Sequence, residues 1–441
     1  MDRDSVVPHV SELPGSGARE VVEYHHLRAA PSTYVYEFVW DYTAPATGPF
    51  CTDIDGNVLM DLTGQVGAMP LGYNNEKVLK PLSEFDLVDP LKIAGQDFYL
   101  PARGCGADIP GPADLMKRLE DISHQYGMDT VFLSNSGAEA VENALKISYD
   151  NTGGKSVITS KGAFHGRTLG TLSLNRSKAV HRRGYPEIPS VHDIPFCTDQ
   201  HCTADTCDCG FFTERSSLRR MLGEGGYIDP SDVAALIIEP IQGEGGYRFP
   251  SDAFAKEIAD CCEEFDMLLI ADEVQSGVGR TGKWWGSDHY PFEPDVIASA
   301  KGLRVGATIS REDIFPDERS RLSSTWGAGD ILSSAMGVVT LDAIEEYDLL
   351  SHATVQGRAM KERLRDASLP GATDVRGKGL MLAVDFESKQ RRDAVIESAF
   401  ARGLLTLGCG QRTLRLLPPL DVTDREIELG VELLSEATQA V

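Results

Sequence analysis

Two side chains that could carry covalent chemistry follow two apolar segments. Residues 268–271 read Leu-Leu-Ile-Ala and are followed by Asp272. Residues 296–300 are followed by Lys301. A lysine at the end of a buried strand is costly unless its amine is paired or used covalently, and its useful reaction is Schiff-base formation with a carbonyl. Because open α/β sheets bind ligands at the carboxyl ends of their strands, both side chains are predicted to meet one.

A third segment could hold an anion. Residues 134–137, Ser-Asn-Ser-Gly, join a predicted strand to a predicted helix. Ser136 suits the N-cap, and Gly137 allows a ligand to approach the backbone amides. Unpaired N–H groups and the helix dipole favour phosphate at this end. Pyridoxal phosphate requires an amine for its aldehyde, a carboxylate for its ring nitrogen and a cradle for its phosphate, so the three segments predict a site for it.

The elements around these residues alternate between strands and helices. Apolar runs rich in Val, Ile and Leu predict buried strands at 130–134, 156–160, 233–238, 267–271 and 296–299. Apolar residues at helical spacing, such as Val141, Ala144 and Leu145, lie between them. This alternation predicts an α/β layer with a mostly parallel sheet.

The two ends of the chain predict a smaller α+β domain. A hairpin with Asp55-Gly56 at its turn is predicted at 53–62. Helices are predicted near 331–346, 351–367 and 424–438, and strands near 380–386 and 412–417. We expect residues 1–66 to form an N-terminal segment and part of the small domain, 67–328 the large domain with an insertion at about 197–230, and 329–441 the rest of the small domain.

Longer motifs around these residues resemble those of the class III, ω-amino-acid aminotransferases, which depend on pyridoxal phosphate and have fold type I. The motifs are NSGAEAVENALK at 135–146, GAFHGRT at 162–168, IIEPIQGEGG at 237–246, IADEVQSG at 270–277, Lys301, and STWG at 324–327. The resemblance extends over nearly the whole chain. RGKGLM at 376–381 and the segment 407–420 make the chain most similar to the 4-aminobutyrate and lysine 6-aminotransferase branch.

The resemblance implies a role for each matching residue. Lys301 would form the Schiff base and transfer the proton, and Asp272 would pair with the ring nitrogen. The other implied cofactor contacts are Phe164 and Val274 on the two ring faces, Gln275 at the ring hydroxyl, Ser136, Gly137 and Ala138 at the phosphate, and Thr325 of a neighbouring subunit at the phosphate. The last contact implies a homodimer with shared active sites.

The resemblance also implies how two unlike substrates share one site. Arg167 matches the arginine that binds the distal carboxylate of an ω-amino acid, because guanidinium offers bidentate geometry. Arg415 matches an arginine that receives the α-carboxylate of glutamate or 2-oxoglutarate, and Glu239 matches the carboxylate that masks it. The implied reaction is a ping-pong transfer from an amine of the 4-aminobutyrate, ornithine or lysine type to 2-oxoglutarate.

Other functions share some of these features. Amino-acid racemases and dialkylglycine decarboxylases resemble the same family and use the same cofactor. The glycine-rich stretch 277–284 nearly spells a nucleotide-binding loop, but Trp284 stands where a P-loop needs Ser or Thr. A non-enzymatic nucleotide-binding module is therefore the distant alternative. His165 reads as a structural neighbour without a catalytic role.

The charge balance bears on partners and surroundings. The 441 residues carry a net charge of −25, which opposes nucleic-acid binding, and only 14 of the 42 basic residues are lysines. Excess carboxylates with few lysines suit a protein kept hydrated in concentrated salt, so we expect a halophilic source. The charged first residues, Met-Asp-Arg-Asp, lack the apolar stretch of a signal peptide, and no apolar run approaches the length of a membrane span, so we expect a cytoplasmic enzyme.

The chain has nine cysteines, an odd number, and we expect free thiols or a metal site rather than a disulfide framework. Four of them, Cys197, Cys202, Cys207 and Cys209, fall in the insertion. Their spacings differ from the two-residue gaps of structural zinc sites. A metal knuckle and a loop with free thiols both stay open, and no metal is assigned.

Overall fold

The computed structural model describes residues 1–31, 38–85, 95–96, 100–106, 108–188, 190–202, 207–325 and 327–441. Trp326 of the STWG motif lies outside these ranges. The chain divides into two compact units, Met1–Leu79 with Asp348–Val441, and Lys80–Tyr347. No helix among the described residues has the length and apolar character needed to cross a membrane.

Helices and strands alternate along most of the described chain. The helices are α1 (Ser16–His26), α2 (Gly64–Gly67), α3 (Glu76–Ser83), α4 (Pro112–Asp121), α5 (Gly137–Thr152), α6 (Leu169–Leu174), α7 (Ser217–Leu222), α8 (Asp252–Glu264), α9 (Ile331–Glu346), α10 (Leu349–Asp366), α11 (Lys389–Ala401) and α12 (Asp424–Gln439). The strands are β1 (Phe50–Thr52), β2 (Val58–Asp61), β3 (Thr130–Ser134), β4 (Ser156–Ser160), β5 (Val191–Ile194), β6 (Phe212–Thr213), β7 (Arg215–Ser216), β8 (Val233–Ile238), β9 (Leu268–Asp272), β10 (Val296–Ser299), β11 (Gly306–Ser310), β12 (Ala372–Lys378), β13 (Met381–Phe386), β14 (Leu404–Leu405), β15 (Leu407–Cys409) and β16 (Thr413–Leu416).

The larger unit is built on one mixed sheet. Among its described residues, seven strands run in the order β3-β11-β10-β9-β8-β4-β5. Strands β10, β9, β8, β4 and β5 are mutually parallel, whereas β11 is antiparallel to both its neighbours. Every residue of β8 is buried, as expected for a strand covered on both faces. The predicted α/β layer with a mostly parallel sheet is confirmed, as the resemblance to the fold type I enzymes implies.

Helix α5 shows why its sequence forms a helix at this place. The Ser136 hydroxyl accepts a hydrogen bond of 3.2 Å from the Glu139 N–H, which caps the first turn. The helix ends at Gly153, whose φ of +73° is a left-handed conformation that glycine adopts without strain. Its apolar face, which includes Val141 and Leu145, packs in a core with residues of β4, β8, β9 and β10. This packing fixes the helix against the parallel strands.

The described residues of the smaller unit form two sheets, to which both ends of the chain contribute. One has the order β1-β2-β14 and the other β12-β13-β16-β15. Strands β1 and β2 form the predicted hairpin, with Gly56 at φ +84° in its turn. Near the N-terminus, the Arg3 guanidinium bonds the carboxylates of Asp421 and Glu426, which ties the two chain ends together.

The boundaries of the units differ from those expected at 66/67 and 328/329. Helix α9 belongs to the larger unit because it packs tightly on α4: a Cβ at Gly337 would lie 3.1 Å from a methyl carbon of Leu115. Residues 67–79 belong to the smaller unit, where the Tyr73 hydroxyl donates a 3.0 Å hydrogen bond to Asp61. Apolar periodicity identified these elements but not the surfaces on which they pack.

Candidate active site

Three polar side chains follow three neighbouring parallel strands. Glu239 comes directly after β8, Asp272 is the last residue of β9, and Lys301 follows β10 after one intervening residue. In register, Ile238 is paired with Ala271, and Asp272 with Ala298. These three side chains therefore start from one edge of the sheet, as the sequence predicts.

The N-terminus of α5 meets the same edge. A Cβ built on Gly137 would lie 2.8 Å from both methyl carbons of Val274 and 3.3 Å from the Cβ of Ala300. Val274 is two residues beyond Asp272, and Ala300 directly precedes Lys301. Only glycine lets the helix approach this closely, so its role here includes packing as well as access to the amides.

This arrangement meets the requirements of pyridoxal phosphate. The first N–H groups of α5 have no acceptor inside the helix, and the helix dipole adds positive potential there. Asp272 is two residues before Val274 and Lys301 directly follows Ala300, and Val274 and Ala300 are the residues that this end of α5 approaches. The residues present thus fit the phosphate, the ring nitrogen and the aldehyde of the cofactor.

Asp272 is held in a fixed orientation. Its side chain is 5% exposed, one carboxylate oxygen lies 2.7 Å from Nδ1 of His165, and the other accepts a 3.1 Å hydrogen bond from the Val274 N–H. Two directional bonds to a buried carboxylate restrict its rotation. The group can therefore present a stable negative charge to a ring nitrogen.

His165 is a site residue that the sequence analysis did not assign. Its backbone N–H donates a 2.7 Å hydrogen bond to Asn175, and its Nε2 lies 3.4 Å from the Thr159 hydroxyl. It contacts Asp272 across 107 residues of sequence. The only sequence signal for His165 was its position next to Phe164 in the GAFHGRT motif. Because its Nδ1 contacts the Asp272 carboxylate, we regard His165 as a positioning residue for Asp272.

Replacement of His165 separates positioning from structure. His165→Leu removes the Asp272 partner, whereas His165→Asn retains a donor near the Nδ1 position. A hydrogen bond to a charged group is worth about 1.5–3 kcal/mol, so kcat of the leucine variant should fall by roughly 10- to 100-fold. The asparagine variant should recover most of this loss. Equal losses in both variants, at unchanged thermal stability, would contradict the positioning role.

Glu239 is a buried carboxylate at the same edge. It accepts hydrogen bonds from the N–H groups of Phe164 at 2.9 Å and Gly243 at 2.8 Å. Burial is the main cause that raises the pKa of Glu239 to about 7, and the charge of Asp272 raises it further, against the lowering effect of His165 and the two N–H bonds. Glu239 can therefore change charge near neutral pH.

Phe164 and Gln275 also lie at this edge. The half-buried Phe164 ring packs edge to face on His181, with centroids 5.1 Å apart, and Glu239 holds its backbone N–H. A Cβ at Gly243 would touch the side-chain oxygen of Gln275, so Gln275 lies beside the loop that follows β8. The contacts of Phe164 and Gln275 with a ring bound at this edge stay predictions.

Arg167 is exposed at the rim of this region. Its guanidinium lies 5.3 Å from the centre of the Phe164 ring. The preceding Gly166 has φ +139°, and a Cβ there would lie 2.8 Å from the Cβ of Ala138 in the first turn of α5. The following Thr168 bonds the Glu142 carboxylate of α5. The loop that carries Arg167 is thus attached to the helix that would hold the phosphate.

Two further predicted site residues belong to other segments of the chain. Arg415 is buried on β16 of the smaller unit, and its pairing with Glu239 stays a prediction. Thr325 is exposed on the larger unit, where its carbonyl accepts a 2.8 Å hydrogen bond from Ala328. Its expected contact with a neighbouring subunit also stays a prediction.

The backbone at Lys301 is strained. Its φ of +21° is unusual for a residue with a side chain, and such strain collects at functional sites. The half-buried lysine begins a single 3-10 turn, 301–303, directly after β10. This turn changes the chain direction at the edge of the sheet.

The glycine-rich stretch lacks the structure of a nucleotide loop. Residues 277–283 form successive turns, and the next regular element is the short 3-10 turn Gly286–His289. Glu273 holds this loop: its carboxylate accepts hydrogen bonds from Ser276, Gly286 and Ser287. A dinucleotide turn would open a long helix here, so the nucleotide-binding alternative loses its support.

Known proteins resemble this chain over nearly its full length. A model of the class-III aminotransferase family matches residues 37–438. An acetylornithine aminotransferase from Synechocystis is 32% identical, with 89% of this chain and 88% of that protein covered. An alanine/serine racemase from Pyrococcus horikoshii is 31% identical, with 97% of this chain and 92% of that protein covered. The structure of a lysine aminotransferase from M. tuberculosis is 27% identical, with a TM-score of 0.82, and the match covers 96% of this chain and 99% of that chain.

Proposed function

This chain belongs to the class III aminotransferases, which depend on pyridoxal phosphate, and we propose that it transfers an amino group from an ω-amino acid to 2-oxoglutarate. The donor is of the 4-aminobutyrate, ornithine or lysine type. The main support for this proposal is the close approach of the α5 N-terminus to Val274 and Ala300, which lie beside Asp272 and Lys301 in the sequence.

Each residue of the site has a task in this reaction. When bound, pyridoxal phosphate supplies an aldehyde that condenses with amines and a ring that delocalises an electron pair. The Lys301 amine would remove a proton from the donor carbon and deliver it to the cofactor carbon. Asp272, oriented by His165, would keep a proton on the ring nitrogen. The amides of Gly137 and Ala138, with Ser136 at the cap, bind the phosphate.

Phe164, Val274 and Gln275 orient the ring in this proposal. Phe164 and Val274 cover its two faces, and Gln275 bonds its hydroxyl group. The position of Val274 supports this assignment, because its N–H bonds Asp272 and its methyl groups lie against the start of α5. Thr325 would complete the phosphate site of a second subunit, so the proposed working unit is a homodimer.

Substrate selection follows from charge. Arg167 binds the distal carboxylate of an ω-amino acid, and its exposed position next to Phe164 supports that role. Arg415 binds the α-carboxylate of glutamate or 2-oxoglutarate in the second half of the ping-pong cycle. Glu239 masks Arg415 while an ω-amino donor is bound.

The surroundings of the enzyme are also part of the proposal. The net charge of −25 with few lysines suits a salt-rich cytoplasm, where ions screen the repulsion between carboxylates. A melting temperature that rises steeply along a salt series would agree with this setting. A melting temperature that does not depend on salt would contradict it.

A panel of amine donors tests the function. The holoenzyme is incubated with 2-oxoglutarate and 4-aminobutyrate, ornithine, N-acetylornithine, lysine or putrescine, each at low and high salt, and glutamate is measured. We expect glutamate to form with at least one donor and to require both substrates. Absence of glutamate with every donor, from a preparation that binds pyridoxal phosphate, would contradict the proposal.

The racemase resemblance gives a second candidate function. The similarity to an alanine/serine racemase covers 97% of this chain. A racemase needs no acceptor, so it would convert L-alanine or L-serine to the D form without any oxo acid. We expect no such conversion, and racemisation faster than glutamate formation would favour the second candidate.

The pKa of Glu239 gives a pH prediction. Because that pKa is raised to about 7, Glu239 is mostly protonated below neutral pH and charged above it. Only the charged form can mask Arg415, so kcat/KM for the ω-amino donor relative to glutamate should rise about 10-fold between about pH 6 and about pH 8. Glu239→Gln should abolish this rise and favour glutamate at every pH.

A neighbouring carboxylate provides the control for this prediction. Glu244 pairs with Lys178 and is not part of the proposed switch. Glu244→Gln should retain the wild-type pH dependence of the ratio. If the ratio of kcat/KM for the ω-amino donor to that for glutamate still rose with pH in Glu239→Gln as in the wild type, the Glu239 carboxylate would not select between the substrates.

A further inference from the structure

Three sulfur atoms converge in the insertion that precedes α7. The Sγ atoms of Cys197, Cys207 and Cys209 all lie within 4.8 Å of one another, and those of Cys207 and Cys209 are 3.1 Å apart. Cys197 is buried, and the other two are half-buried. The proposed reaction uses none of these residues, so the cluster needs another explanation.

A fourth cysteine adjoins this group. The Cys202 Sγ lies 3.1 Å from the Ser251 hydroxyl, and that hydroxyl lies 3.7 Å from the Cys197 Sγ. All four cysteines of the insertion therefore gather in one place, although they span 13 residues of sequence.

Backbone N–H groups point at two of the sulfurs. The Phe212 N–H donates to Cys207 Sγ at 3.2 Å, and the Phe211 N–H donates to Cys209 Sγ at 3.4 Å. Such bonds stabilise negative charge on sulfur and fix its orientation, as supporting hydrogen bonds do for metal ligands. These N–H bonds to sulfur are therefore more typical of a metal site than of a loop with unrelated thiols.

The surroundings explain why a cross-link would be useful here. Phe211, Phe212 and Cys197 pack in a core with residues of α8 and β8, and the short hairpin β6–β7 follows. Ser251, the N-cap of α8, bonds the Cys197 carbonyl through its N–H at 3.0 Å. The hairpin has two residues in each strand, which is too little to be stable alone.

We propose that Cys197, Cys202, Cys207 and Cys209 bind one structural zinc ion. With Zn–S bonds of about 2.3 Å, tetrahedral sulfurs are about 3.8 Å apart, and the three clustered sulfurs need only small movements to reach this spacing. Cys202 completes the set when its side chain turns from Ser251 toward them. On binding, four thiols release four protons to solvent and four Zn–S bonds form, with no change in oxidation state. Four protein ligands leave no open position, so the ion stabilises the insertion rather than catalysing a reaction.

Metal analysis of the purified holoenzyme tests this site. The protein is produced in medium that contains zinc and iron, dialysed, and measured for both metals per chain. We expect about one zinc and less than about one tenth of an iron. Cys207→Ser and Cys209→Ser should each lose most of the zinc, whereas Cys105→Ser, which changes an exposed cysteine outside the cluster, should retain it.

Thiol chemistry provides the second readout. A mercurial reagent should release the zinc from the wild-type protein as it titrates the cluster, and the melting temperature should fall with the release. Wild-type protein with four unmodified thiols and no metal, with iron in place of zinc, or with a Cys207–Cys209 disulfide found by peptide mass spectrometry would overturn the proposal. These measurements use the wild-type chain, so they decide the question even if the serine variants do not fold.

Discussion

Replacement of Lys301 by alanine is expected to abolish amino-group transfer, with kcat lower by at least about 10⁴-fold. The lysine supplies both the covalent link to the cofactor and the base that moves the proton, and the structure holds it in a strained turn at the edge of the sheet. Activity in the donor assay and the visible absorbance of the bound cofactor measure the loss. Circular dichroism establishes that the variant is folded.

Lys161 provides the matched control for this variant. It follows the parallel strand β4 as Lys301 follows β10, but its side chain is exposed. Lys161→Ala should transfer amino groups at the wild-type rate. If Lys301→Ala retained turnover within 10-fold of wild type, the roughly 10⁴-fold role of this lysine would be refuted.

Replacement of Asp272 by asparagine is expected to lower kcat by about 10³-fold while the cofactor remains bound. A carboxylate stabilises a protonated ring nitrogen, whereas an amide of the same shape does not, and removal of one group that stabilises charge in the transition state costs about 10²–10³-fold. Asp272 is 5% exposed, so water does not compensate for the lost charge. The donor half-reaction, followed in a single turnover with and without deuterium on the reacting carbon, measures the step directly.

Asp295 separates this effect from a loss of stability. Its carboxylate bonds the N–H of Leu269, at the start of the same strand β9, and pairs with Arg311. Asp295→Asn should lower the melting temperature without lowering kcat. An Asp272→Asn enzyme with a near-normal rate and a normal isotope effect would contradict the electrostatic role of Asp272.

The sequence predicts the elements that are local and periodic. Strands β8, β9 and β10 read as apolar runs, and polar residues at their ends mark the edge of the sheet. Helices α9 and α12 were predicted within one residue of their observed ends, because their apolar spacing and end signals agree. The cofactor could be predicted for the same reason: Asp272, Lys301 and the start of α5 are each tied to a strand end.

Features that depend on packing between distant segments could not be predicted. The bond between His165 and Asp272 joins residues 107 positions apart, and nothing in the spacing of either motif specifies it. The unit boundaries depend on the close contact of α9 with α4. The cysteines of the insertion have spacings unlike known zinc motifs, and only folding brings their sulfurs together.

Borohydride trapping tests most directly whether Lys301 binds the cofactor covalently at the edge of this sheet. Borohydride reduces a carbon–nitrogen double bond between a lysine and an aldehyde to a stable amine, and peptide mass spectrometry then locates the label. We expect one phosphopyridoxyl group per chain, on Lys301, and none in Lys301→Ala. A label on another lysine, or a fully loaded protein without any label, would contradict the account.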